Sequence, residues 1–96
     1  MKNTIITTQN LKERHDNFVA LWPFIYKTNC QQYFTEYSKE EILLHIMLNC
    51  EVFYIIDSHT LPQAIEYCGQ IFPGTTKDEL MQVYDKYLYI VREIYG

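Results

Sequence analysis

Three groups of residues in this chain have types and spacings that could do chemistry. The first is the turn Pro73-Gly74-Thr75-Thr76, which precedes a stretch with helical periodicity. The leading N–H groups of a helix lack partners inside it, and with the helix dipole they attract an anion such as a phosphate. Gly74 has no side chain to hold such a group away from the backbone, so Gly74, Thr75 and Thr76 are candidate anion-binding residues. A Pro-Gly turn before a capped helix is also simply a turn, and both readings stand. The second group is Cys30, Cys50 and Cys68. Their odd number, wide spacing and lack of a C-x-x-C pair predict free thiols in a reducing compartment. The third is His15, His45 and His59, which form no ligand set with the cysteines at a usual zinc spacing, so no metal site is expected. Cysteines and histidines alike are read as buried, satisfied core residues.

The elements that must position these residues belong to a chain of 96 residues, short enough for a single domain over 1–96. Aromatic residues make up 16% of it, nine of them Tyr, which is a folded composition. Nine tyrosines exceed what one small core holds, so some belong at a surface or interface, where a ring with a polar tip suits a protein partner. The formal charge is −4, with acids and bases interspersed and no Lys/Arg block. That argues against generic nucleic-acid binding. The opening MKNTIITTQN lacks the apolar core of a signal peptide, and ILLHIML is too short to span a bilayer. The expectation is a soluble, cytoplasmic protein.

Residues 3–8, NTIITT, read as a first strand. Asn10 with Glu13 reads as a capping box for a helix carrying Leu11, Phe18, Leu21, Trp22 and Ile25, which Pro23 should break or kink. Ser38 with Glu41 reads as a second capping box, for a helix over 40–49 with an apolar face of Ile42, Leu43, Ile46 and Met47 and a stop at Asn49. VFYII at 52–56 is β-branched or aromatic throughout and predicts a strand over 51–57, although periodicity also permits the preceding helix to run on. Residues 60–72 fit two patterns. Ile65, Tyr67, Gly69 and Ile71 alternate as in a strand. Leu61, Ala64, Ile65, Cys68, Ile71 and Phe72 equally make a helix stripe with Thr60 as its cap. The strand reading is adopted. Thr76 with Glu79 then caps a long helix over 77–94, with Leu80, Val83, Tyr84, Tyr87, Val91 and Ile94 on its apolar face.

This order resembles the GNAT-fold acyl-CoA N-acetyltransferases, in particular small phage proteins of that superfamily. The stretches that carry the resemblance are TIITTQNLKERHDNFVALWPFI, YSKEEILLHI, CEVFYIID and PGTTKDELMQVYDKYLYIVREIYG. The resemblance implies an α+β fold: a shortened mixed sheet packed with about three helices. It implies that Gly74, Thr75 and Thr76 would receive the pyrophosphate of acetyl-CoA, and that Glu66, mid-strand, would accept a proton from a substrate amine. As an alternating strand residue, Glu66 could equally face solvent. If residues 50–72 are helical instead, the alternative is an all-α four-helix bundle.

Two function classes follow, with a third if the helical alternative holds. The first is a non-catalytic protein-interaction module on the GNAT-like scaffold, a phage accessory, virion or host-takeover protein acting in the host cytoplasm. It is favoured because FPGTT, with a single Gly, stands where the family's loop usually reads Q/R-x-x-G-x-G/A, and because an incomplete sheet exposes an edge for a partner or a second copy. The second is an acetyl-CoA-dependent N-acetyltransferase. The third is a helical-bundle binding protein. No cofactor is expected under the first or third.

Overall fold

The computed structural model describes residues 5–28, 37–50 and 60–95, the side chains of 24–28 excepted. The strand expected at 51–57 lies outside them. The described residues form four helices and no strand: α1 (Leu11–Thr28), α2 (Lys39–Asn49), α3 (Thr60–Ile71) and α4 (Lys77–Tyr95). Among the described residues the fold is therefore all-helical, as in the four-helix alternative. The GNAT resemblance is overturned with it, because that family is built on a sheet whose central part residues 60–72 would have to supply, and those residues are helical. The expected first strand is likewise not formed over 5–8, which run into a turn ahead of α1.

The strand reading of 60–72 fails for a physical reason. Ala64, Cys68 and Ile71 are buried, while Leu61, Ile65 and Phe72 pack partly buried against the same core. Six apolar positions at helical spacing bury one continuous stripe, whereas the alternating set would leave Ala64 and Cys68 on the wrong face. Pro62 sits in the first turn, where its missing N–H costs no helical bond.

Of the break or kink expected at Pro23 in α1, the break does not occur, and the helix continues to Thr28. The lost bond is the one to the Val19 carbonyl. Val19 is 40% exposed, so water can take that place. Asn10 supplies the first helical acceptor, its carbonyl taking the Arg14 N–H at 3.0 Å. Its side chain, however, turns back: Oδ1 accepts from the Thr7 N–H at 2.8 Å and Nδ2 donates to the Ile5 carbonyl at 2.9 Å.

Helix α2 is the centre of the molecule. It packs against α1, α3 and α4, and α3 also packs against α4. The expected apolar face was Ile42, Leu43, Ile46 and Met47; the whole run from Glu41 to Leu48 is in fact buried. A helix apolar on nearly every side has to be enclosed, and three neighbours enclose this one. Ser38 caps it as expected, its Oγ accepting the Glu41 N–H at 3.1 Å. Helix α4 matches its expected span and face, with Leu80, Val83, Tyr87 and Val91 buried. Thr76 Oγ1 accepts the Glu79 N–H at 3.3 Å at its start. Lys39 pairs with Glu79 at 2.7 Å, and Glu40 accepts from Lys86 at 3.0 Å and from the Tyr87 hydroxyl at 2.9 Å. These ties run between α2 and α4 at the surface, where each ion pair contributes at most about 1 kcal/mol.

Candidate functional site

The most concentrated polar chemistry lies between α1 and α2. Glu41 sits in the first turn of α2, 2% exposed, and His45 one turn later is fully buried. Arg14 of α1 grips the Glu41 carboxylate with both arms of its guanidinium, Nε to Oε2 at 2.7 Å and Nη2 to Oε1 at 2.8 Å. His45 Nε2 lies 2.8 Å from Oε2 of the same carboxylate. An ionised carboxylate only accepts, so the hydrogen is on Nε2 and neutral His45 presents a lone pair at Nδ1. His15 Nδ1 approaches that lone pair at 3.0 Å and must donate. The hydrogen bonds therefore converge on Glu41, which accepts from Arg14 on one side and, on the other, from His45, itself an acceptor from His15.

Rings close around this cluster. Phe18 stacks on His45 at 4.8 Å, the His15 ring lies beside it and near-parallel with centroids 5.1 Å apart, and Tyr37 meets it edge-on at 5.9 Å. Tyr95, at the end of α4, meets His15 edge-on at 6.2 Å, and the Arg14 guanidinium lies 5.2 Å over the Tyr37 ring. Burial would raise the Glu41 carboxyl, but the hydrogen bonds and charges of His45 and Arg14 together outweigh it and hold its pKa below the ordinary value. Burial lowers His45 despite its hydrogen bond to Glu41. Burial, with the nearby charge of His45, lowers His15 from 6.5 to about 4.

This cluster is poorly placed for catalysis. His45 has no exposed surface, and both its nitrogens are engaged. His15 is neutral near pH 7, but a base with a pKa near 4 is too weak for effective proton abstraction there. Among the described residues no group of three or more His, Cys, Asp or Glu is arranged to hold a metal ion.

The residues singled out in the sequence lie elsewhere. Glu66 is exposed on α3, roughly opposite the Ala64–Cys68 stripe, and so is a solvent-facing helix residue; its place in a strand is corrected with the strand itself. Gly74 has φ +89°, so the turn does require the left-handed backbone that glycine supplies. Thr75 donates both its N–H, at 3.2 Å, and its hydroxyl, at 2.6 Å, to the Phe72 carbonyl. Thr76 spends its hydroxyl oxygen on the cap of α4. These groups close the chain's own turn. Acetyl-CoA, the alternative to no cofactor, was placed here only by the GNAT resemblance, which needs a strand before the turn where the helix α3 lies. Cys50 and Cys68 are free thiols, as expected, while Cys30 and His59 fall outside the described residues.

Sequence reasoning missed a groove between α1, the C-terminal end of α2 and α3. Its volume is about 430 Å³. Phe18, Trp22 and Ile46 line it with apolar surface, Val19 and Tyr67 stand along it, and the amides of Asn49 and Gln63 supply polar groups beside Cys50. Val19 is 40% and Tyr67 37% exposed, so large apolar side chains there face outward. Periodicity placed Trp22 and Phe18 on one face of α1, but α3 had to be recognised as a helix before its exposed Tyr67 could be set across from them. No family model matches the chain, and neither a curated protein nor a solved structure matches it.

Proposed function

We propose that this chain is a non-catalytic helical-bundle module that binds a partner protein through the groove between α1, α2 and α3. The observation that carries this reading is the groove's lining: aromatic and aliphatic walls, two partly exposed large side chains, Val19 and Tyr67, and two amides. Aromatic groups with few charges are the composition of an interface centre. An open groove between helices with aromatic walls and polar amides suits an amphipathic helical segment that inserts one or two large apolar side chains. The weak-base His15 and the enclosed His45 favour this over an enzymatic role.

The test is site-directed photocrosslinking. A benzophenone side chain is placed at Val19, at Tyr67, and as a control at Tyr89, which is 73% exposed on α4. In the cells that encode the protein, the two groove positions should crosslink the same partner polypeptide and the control should not. Val19→Asp in the Tyr67 photocrosslinking protein should abolish the product. Equal labelling from Tyr89, or no crosslinked partner at either groove position, rejects the reading. Crosslinked dimers of the purified chain would assign the groove to self-association instead.

A further inference from the structure

We propose that the facing rings of His15 and His45 form an acid-released latch between α1 and α2. The geometry sets how many protons the pair can carry. Only one hydrogen fits between two Nδ1 atoms 3.0 Å apart. In the neutral pair that hydrogen belongs to His15, since His45 has committed its own to Glu41. One added proton can enter at Nε2 of His15 while the shared hydrogen bond survives. A second leaves N–H facing N–H, and the bond becomes a repulsion.

The surroundings offer little to offset that charge. On α1, Arg14 is a fixed cation beside the cluster, and Asp16, which is exposed, is the carboxylate that favours a charged His15. On α2, Glu41 favours a charged His45 through its hydrogen bond and its charge, but Arg14 shares that carboxylate and opposes the charge, and burial outweighs the support. Tyr37 ahead of α2 and Tyr95 from α4 present ring edges. Tyr87 of α4 directs its hydroxyl to Glu40. Cys68 of α3, buried in the same core, stays neutral, its pKa lifted by burial to about 12. Between Phe18 and Tyr37, His45 has little room to turn away. The relief left open is for α1 to part from α2.

The sign follows from linkage. A folded-state pKa depressed from 6.5 to about 4 means that the unfolded chain binds more protons between those values. Stability contributed by neutral His15 is fully present above pH 6.5, falls as pH drops through that window, and levels off below about 4. His15 lowers the folded-to-unfolded ratio by up to about tenfold per pH unit there, and His45, also depressed by burial, adds to the loss below 6.5. Glu41, held below its ordinary 4.5, adds its own loss only below that value. The latch does not depend on what occupies the groove.

Trp22 is the sole tryptophan; it lies on α1 against Phe18, which stacks on His45, and lines the groove with Ile46 of α2, so its fluorescence reports α1 parting from α2. Urea unfolding is followed at intervals from pH 7.5 to 4.5 for the wild type, His15→Gln and His45→Gln. The Gln at position 15 can still donate to His45 but cannot titrate. The wild type should lose stability steadily below pH 6.5, and His15→Gln should lose at least tenfold less of its folding constant over the same range. Identical pH slopes in wild type and His15→Gln would overturn the latch. Should the His45 variant fail to fold, nuclear magnetic resonance of the wild-type imidazoles decides the matter. Rings of His15 and His45 that titrate independently near 6.5 in the native protein would overturn it, and rings that stay neutral until the protein opens would support it.

Discussion

Glu41 divides two oxygens between a guanidinium and an imidazole, and it does so almost without water. Breaking a buried ion pair from one side typically costs about 3–5 kcal/mol, because the remaining charge is stranded. Arg14 keeps 23% of its side chain exposed, so some water reaches the site. Arg14→Met is expected to destabilise by about 2–4 kcal/mol at neutral pH, measured by urea unfolding. Adding Glu41→Gln removes the stranded charge and keeps an acceptor for His45, so the double variant should recover at least about 1 kcal/mol. A double variant no more stable than Arg14→Met would show that the carboxylate is not under that strain. Part of this cluster was legible. Glu41 and His45 stand four residues apart, the spacing of neighbours on one helix face. Glu41 also sits where a capping box would use it, and the sequence reading assigned it there. The carboxylate faces inward because Arg14 meets it from α1 while His15 meets His45 beside it, and those meetings are tertiary events with no local signature.

At the scale of elements, the two helices with a Ser or Thr cap and a single period, α2 and α4, stood out in the sequence within a residue or two of their observed ends. Helix α3 did not. Nine residues from Ala64 to Phe72 satisfy both periods, and Gly69 weakens either element. Thr60 followed by Pro62 is a helix-start signal that the alternation obscured. The two inner glycines now separate cleanly. A Cβ at Gly69 meets nothing within 4 Å, so Gly69→Ala should stabilise α3 by roughly 0.5–1 kcal/mol. Gly74 also has open space around it, but its φ of +89° strains any L side chain, so Gly74→Ala should cost about 1 kcal/mol or more. Thermal denaturation of the two variants should move in opposite directions. A Gly74→Ala protein that melts with the wild type would rule out the left-handed turn.

For the molecule as a whole, composition anticipated a well-filled core but could not say which helix would occupy its middle. An apolar stripe on one face of α2 was expected; burial over its full circumference follows from three helices packing on it, which no window of sequence records. The groove has the same origin, since its walls come from residues as far apart as Phe18 and Tyr67. The central position of α2 also has a kinetic consequence. The backbone amides of an enclosed helix meet solvent only when its neighbours leave together, and α2 has neighbours in α1, α3 and α4. Deuterium should therefore enter the amides of Leu44 to Leu48 last. Their opening free energy should equal that of global unfolding, while amides near the end of α1 exchange through smaller, local openings. If amides in α2 exchange ahead of those in α4, the chain does not unfold as one unit around its middle helix.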